Sequence, residues 1–406
     1  MWKHLKPLPG TRPPDAGQPM MRLARVCNID DLRKRALSVL PDPMLHYLEG
    51  GADDEQTLRR NREAFAAFDL IPHFLVDVAN VDTTTEVLGQ KLPIPLMLAP
   101  TGMSRLFHPQ AELAVARAAA EHGTMFCLST VGSETIESVA AVSNGPKMFQ
   151  IYVLGDHGLN TEFISRARES GYDALCLTID VPVGGNRERD VRTGMAIPPK
   201  FTWRSNLSFV TRPRWSLRQL FGPRFDLPIV SGHVPDKNAS LAERMAYIFR
   251  QFDPSVTWKD AERMIAEWNG PFAVKGVLSP DDARQAIDIG ATAVMVSNHG
   301  GRQLDTSPAT IDALAEIVAA VDGQAEVIVD GGIRRGTDVI KALALGAKAC
   351  MIGRPYLYGL TVAGQAGVSK ALDIFTAEIY RDMALLGCRN VNEIGPRHIR
   401  RRPVSG

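Results

Sequence analysis

Nine residues, Ser-Asn-His-Gly-Gly-Arg-Gln-Leu-Asp at 297–305, set an imidazole (His299) and a guanidinium (Arg302) three positions apart, just where the apolar run Ala293–Val296 ends. That pairing suits removal of a proton from a substrate whose carboxylate is gripped by the arginine. Histidine is the side chain most readily poised as a base near neutral pH, and the Gly300-Gly301 pair lets the backbone turn sharply and approach a ligand closely. In isolation the motif fits a solvated polar loop equally well, so the rest of the chain has to decide.

Something must hold these two side chains in place. From residue 92 onward, apolar runs of strand length occupy 93–99, 125–129, 148–153, 174–180, 272–277, 293–297, 327–330 and 350–353, and helix-like stretches separate them. Near-continuous apolar strands imply burial on both faces and hence a parallel sheet. Eight strand-then-helix repeats predict an α/β fold closed into a (β/α)8 TIM barrel, with a doubly wound open sheet as the second architecture. Amphipathic patterns at 111–121, 281–289, 311–321 and 336–345 read as intervening helices. The first 91 residues depart from the repeat, and helix patterns at 29–40 and 44–50 predict an N-terminal helical cap over one barrel end. The expected organisation is a disordered leader at 1–21, then a single barrel domain at 22–406 with a long variable loop after the fourth strand, at about 188–258.

At 406 residues, 45% apolar and 22% charged, the chain has the make-up of a soluble globular protein with a large core. A net charge of +1 argues against nucleic-acid binding. The five cysteines (Cys27, Cys127, Cys176, Cys350, Cys388) are widely spaced with no CxxC, which suggests buried thiols in a reducing compartment rather than a disulfide scaffold or a metal site. The leader has no apolar signal core, and no run approaches the roughly 18 residues that span a bilayer, so a cytoplasmic location is expected.

Polar residues and glycines recur at the C-terminal ends of the predicted strands: Thr101 and Gly102, Ser129, Gln150 and Tyr152, Thr178 and Asp180, Lys275, His299 and Arg302, Asp330 to Gly332, and Gly353 with Arg354. In a barrel these ends share one mouth, where catalytic groups collect. Glycine N–H groups, helix N-termini and arginines after strands seven and eight make an anion site of the kind that holds a cofactor phosphate. Neither GxGxxG after a strand nor GxxxxGK[ST] is present, so the usual nicotinamide and nucleoside-triphosphate signals are missing.

Taken in order, FQIYV (149–153), LTID (177–180), VKGV (274–277), SNHGGRQLD, DGGIRRGTDVIKALALGA (330–347) and IGRP (352–355) resemble the FMN-dependent L-2-hydroxy-acid dehydrogenase and oxidase family over about residues 28–395. The resemblance implies FMN as cofactor, His299 as catalytic base and Asp180 as the carboxylate that orients it. It implies Arg187 and Arg302 on the substrate carboxylate together with Tyr47, and Tyr152 near the substrate hydroxyl. For FMN it implies Lys275, Ser129, Gln150 and Thr178 at the ring, the backbone of Thr101 and Gly102 at the ring's reactive edge, Asp330 on the ribityl chain, and Gly332, Arg334, Gly353 and Arg354 at the phosphate. A homotetramer is implied as well.

One departure bears on substrate: where glycolate oxidase has a tryptophan shortly after strand two, this sequence has Val131, leaving more room. Residues 252–260, FDPSVTWKD, resemble the bacterial lactate dehydrogenases of the family. The expected reaction is oxidation of L-lactate to pyruvate, with electrons passed to quinone or cytochrome. The alternatives are an oxidase that reduces O2 to peroxide, a dehydrogenase for a bulkier acid such as mandelate, and a non-catalytic membrane- or protein-binding barrel. Within the roughly 90-residue insertion, 194–223 carries Lys200, Arg204, Arg212, Arg214 and Arg218 among Phe201, Trp203, Phe209, Trp215 and Phe221, with no acidic residue. Cations beside aromatics suit an anionic membrane surface, and a lid or a subunit contact is the other reading.

Overall fold

Eight short strands follow one another around a closed ring: β1 (Leu96–Leu98), β2 (Phe126–Ser129), β3 (Lys147–Ile151), β4 (Ala174–Thr178), β5 (Phe272–Val277), β6 (Ala293–Val296), β7 (Glu326–Val329) and β8 (Ala349–Ile352). Each pairs in parallel with its successor and β8 closes on β1, so the predicted TIM barrel is borne out and the open sheet is excluded. This computed structural model describes residues 23–195, 199–234, 236 and 238–403, and the predicted leader at 1–21 lies outside them.

Alternation along the strands separates two cores. Outward positions such as Leu96, Leu98, Phe149, Leu175, Val274 and Val294 meet the surrounding helices. Inward positions are mostly small or unbranched: Met97, Cys127, Ala174, Cys176, Ala273, Ala293, Met295, Ala349 and Met351, with the branched Ile328, fill the barrel lumen. Strands buried on both faces need this division, because the lumen admits far less side-chain volume than the outer layer. Four of the five cysteines are buried thiols and Cys27 is exposed.

The segment before the barrel closes both ends. Helix Asp42–Glu49 forms the expected cap at the C-terminal mouth, and Ile29–Val39, whose N-cap Asn28 accepts from the Asp31 N–H at 2.9 Å, packs on the helix that follows β8. At the other end an antiparallel hairpin, Thr85–Val87 with Gln90–Leu92, inserts Val87, Leu88 and Leu92 into the lumen core. The Leu88 N–H donates to Glu326 Oε2 at 2.8 Å, at the first residue of β7. This plug is not visible in the sequence, since three-residue strands carry too little periodicity to register.

The insertion expected after β4 is present and carries secondary structure of its own. The segment read as a long variable loop is largely helical, with Glu188–Thr193, Trp203–Thr211, Pro213–Phe221, Pro228–Ser231 and Leu241–Arg250 in sequence. Its far end is fastened to the chain after β3: Gly155 N–H donates to the Gln251 carbonyl at 2.7 Å and Asp253 N–H to the Val153 carbonyl at 3.1 Å. Trp215 and Phe209 stack inward at 5.4 Å, and the Trp215 indole donates to the Leu106 carbonyl at 2.8 Å. The aromatics that remain on the surface are Phe201, Trp203 and Phe221.

Candidate active site

His299 stands where β6 runs out, and the chain turns through three consecutive left-handed residues, His299, Gly300 and Gly301, at φ of 56°, 65° and 74°. The His299 N–H donates to Ser297 Oγ at 3.1 Å. Across the mouth, the chain leaves β4 at Thr178 and delivers Asp180, whose Oδ1 lies 3.0 Å from His299 Nδ1. A proton on Nδ1 directed at this carboxylate leaves Nε2 as the acceptor. Burial alone would raise the Asp180 carboxyl, but the facing imidazole and Lys275 outweigh it and hold it below the ordinary 3.8. Gly276 makes room for this arrangement: a Cβ there would stand 2.7 Å from the Asp180 Cβ.

The imidazole faces an open cavity that extends from Tyr47 and Arg302 under the cap to Gly353 and Arg354 after β8. The residues singled out from sequence line it, except Asp180, Ser129 and Gln150, which stand behind its wall. Arg302 is pinned by the cap, donating to the carbonyls of Tyr47 at 2.7 Å and Gly50 at 3.1 Å, with its guanidinium over the Tyr47 ring at 4.9 Å. Burial, then the neighbouring Arg187, pull the Arg302 guanidinium down to about 10. Neither arginine has a carboxylate within ion-pair reach among the described residues. Two half-buried cations side by side, balanced only by the longer-range pull of Asp190, are the electrostatic shape of a carboxylate site, since a bound anion relieves both. Tyr152 lies against Phe252 at 5.0 Å, and burial, then Asp180, push its phenol up, so it is a hydrogen-bond donor at any working pH.

On the opposite wall, the Lys275 ammonium reaches Asp330 Oδ2 at 2.8 Å and Ser297 Oγ at 2.6 Å. Burial works against its charge, but Asp330 and Asp180 prevail and hold it above the usual lysine range. Ser129 Oγ donates to Gln150 Oε1 at 2.9 Å. Thr101 Oγ1 is engaged by the Tyr356 hydroxyl at 2.5 Å, which leaves its backbone to face the cavity. Five buried polar atoms around this space have no partner among the described residues: Gln150 Nε2, Asp180 Oδ2, Arg187 Nε, Asp330 Oδ1 and Arg334 Nε. Each such atom costs about 1–3 kcal/mol if left unpaired, so their convergence points to a polar ligand that completes them.

The anion site after β7 differs from expectation in one respect. The start of helix Gly336–Ala344 is already satisfied, because Asp338 Oδ2 accepts from the N–H groups of Arg334 and Arg335 at 2.9 and 3.0 Å, and Glu378 takes the Gly336 N–H at 2.7 Å. What remains toward the cavity is the Gly331-Gly332 backbone, the Arg334 side chain, and Gly353 at the uncapped start of helix Arg354–Ala363. Arg354 commits three of its N–H donors to the carbonyls of Leu48, Gly300 and Gly50 at 2.8, 3.0 and 2.9 Å, tying the cap to the base loop.

Sequence reading missed Phe107 and Phe249 in the cavity wall and the spacer Gly276, and met Phe252 only as the first residue of the segment 252–260. A glycine inside an apolar strand was a usable sign of close approach. The phenylalanines carried none, since nothing local distinguishes them from core residues.

The sequence profile of the FMN-dependent dehydrogenase family matches residues 36–401. The chain is 42% identical over 379 residues to an L-lactate oxidase of Nostoc sp., covering 92% of this chain and 98% of that protein. It is 40% identical over 374 residues to a glycolate oxidase of Spinacia oleracea, covering 92% and 95%. Among solved structures, a monotopic membrane protein, (S)-mandelate dehydrogenase, superposes with a TM-score of 0.89 at 37% identity, covering 93% of this chain and 100% of that one.

Proposed function

Because this chain belongs to the FMN-dependent dehydrogenase family, whose chemistry is FMN-dependent oxidation of 2-hydroxy acids, we propose that it oxidises L-lactate to pyruvate and passes the electrons to quinone or cytochrome. The observation that carries this reading is the His299–Asp180 pair at 3.0 Å, facing one cavity with Arg302 and Arg187, neither of which has an ion-paired carboxylate among the described residues.

FMN fits the site: the cavity runs on past the arginines to the loops after β7 and β8, Lys275 offers a fixed buried cation, and the unpartnered atoms of Gln150, Asp330 and Arg334 supply the donors and acceptors such a group needs. Lys275, Ser129, Gln150 and Thr178 would hold its ring, with the Thr101-Gly102 backbone at the reactive edge. Asp330 would hold the ribityl chain, and Gly332, Arg334, Gly353 and Arg354 the phosphate. When bound, FMN supplies the acceptor for the two electrons that leave the substrate.

Arg302 and Arg187 grip the substrate carboxylate through planar forks, with Tyr47 beside them. Tyr152, held protonated, donates to the substrate hydroxyl. His299 Nε2 takes a proton, from the α-carbon or from the hydroxyl, and Asp180 stabilises the imidazolium that results. Val131, buried beside Gly102, leaves the substrate side chain a wider berth than a tryptophan would. A bulkier acid such as mandelate is the second reading, favoured by that same opening and by the aromatic wall of Phe249 and Phe252.

The basic segment 194–223 supports docking on an anionic membrane surface from the cytoplasmic side. Trp203 and Phe221 are 71% and 82% exposed and stand among Arg204, Arg212 and Arg214. No helix among the described residues is long and apolar enough to cross a membrane.

Anaerobic mixing of the purified protein with L-lactate, D-lactate, glycolate and L-mandelate, followed by flavin bleaching, tests the substrate. The expected order puts L-lactate fastest and D-lactate silent. Slow reoxidation by air with fast reoxidation by a quinone supports the acceptor, and the reverse makes the protein an oxidase. Bleaching by none of the acids ends the proposal.

A further inference from the structure

Asn61 belongs to the N-terminal cap, in helix Gln56–Glu63, and only 2% of its surface is exposed. Its amide meets that of Asn298 in a reciprocal pair: Asn61 Nδ2 donates to Asn298 Oδ1 at 2.8 Å, and Asn298 Nδ2 donates back to Asn61 Oδ1 at 2.8 Å. Asn298 uses its remaining capacity on the loop that follows, donating to the Pro308 carbonyl at 3.0 Å and accepting from the Gly301 N–H at 3.2 Å. Between those ties lies the left-handed run that carries His299. Such a run is unfavourable for a residue with a side chain, and it persists only where neighbours hold it.

The other side of Asn61 closes on the loop after β7. A Cβ at Gly332 would stand 1.7 Å from the Asn61 carbonyl oxygen, and one at Gly331 would stand 3.5 Å from the Asn61 Cγ. Thr310 completes the link, its N–H reaching Asn61 Oδ1 at 3.4 Å and its hydroxyl donating to the Asp330 carbonyl at 2.5 Å. The Asn61 side chain therefore holds the imidazole loop through Asn298 and reaches the loop at the anion end of the cavity through Thr310, while its backbone carbonyl closes on Gly332.

We infer that Asn61 is a positioning residue that couples the setting of His299 to the occupation of loop 330–332 by the cofactor. The inference rests on the reading of His299 as the base and of 330–332 as part of the FMN cradle. Its consequence is mutual: bound FMN steadies the base, and a steadied base loop tightens FMN.

The test is a double-mutant cycle on the holoenzyme with Asn61→Ala, Asn298→Ala and the pair. Asn61→Asp, equal in size but without the N–H donors, serves if the alanine variants fail to fold. Two quantities are read: the rate of flavin bleaching by L-lactate in excess FMN, and the FMN dissociation constant from fluorescence released on dilution. Each single change should slow bleaching about 10- to 100-fold and weaken FMN by about tenfold, with the double variant no worse than the worse single one. Additive effects, an unchanged FMN constant in the Asn61 variants, or a loss confined to thermal stability would overturn the inference. The FMN constant needs no turnover. If wild type is not bleached by any 2-hydroxy acid, the functional reading falls, while the FMN cycle still decides whether the link exists.

Discussion

Replacing Asp180 by asparagine keeps the shape of the His299 partner and removes its charge. At the observed 3.0 Å separation, a full charge pair at an effective dielectric near 20 is worth about 5 kcal/mol. Asparagine retains a neutral hydrogen bond to Nδ1 that recovers part of this, leaving about 3 kcal/mol lost when the imidazolium forms, or about 100-fold in rate. The arginines are untouched, so the loss should fall on kcat with KM little changed. Anaerobic stopped-flow reduction of the FMN-loaded variant by L-lactate measures it. A rate within about threefold of wild type, with FMN bound, would refute the assignment of Asp180 as the group that stabilises the protonated base. Stability gives a second readout with a definite sign. The folded carboxyl lies below its unfolded value near 3.8, so the pairing contributes fully above that pH and is lost as pH falls through the lowered folded value. The thermal-stability advantage of wild type over D180N should therefore be present at neutral pH and shrink toward acid below 3.8.

Three further outcomes are expected. Arg302→Lys replaces a planar fork with a point charge and should lower kcat/KM about 10- to 100-fold, and unchanged steady-state kinetics would remove Arg302 from the carboxylate site. Tyr152→Phe should lower kcat about tenfold through the loss of one hydrogen bond. Because burial holds the phenol above its ordinary 10.0, the wild-type pH profile should show no falling limb from Tyr152 below that pH, and a limb that disappears in the variant would contradict the placement. Gly332→Ala forces a Cβ to within 1.7 Å of the Asn61 carbonyl at a φ of +83°. It should purify with most of its flavin absorbance missing while circular dichroism shows the helices retained, and a fully loaded variant would exclude loop 330–332 from the cradle.

The chain alone announced the barrel, because eight apolar runs spaced by amphipathic helices admit few ways of burying both faces of a parallel sheet. It also supplied most of the chemistry-bearing residues, since those sit at strand ends, where a change from apolar to polar is visible in one dimension, whereas Tyr47 and Arg187 came only from the family resemblance. The Gly300-Gly301 and Gly331-Gly332 pairs were legible for the same reason: left-handed backbone selects glycine whatever the surroundings. The tertiary structure decided what depends on partners distant in sequence. Asp180 meets His299 across 119 positions, and the cap holds Arg302 and Arg354 by carbonyls that no side-chain pattern encodes. The helix start at Gly336 is closed by Asp338 and Glu378, and the insertion proved to be helices that turn Trp215 inward and leave Trp203 out. Local sequence fixes backbone preference and burial, whereas the electrostatics of a site arise from which charges the fold brings within a few ångströms, and that is a property of three dimensions.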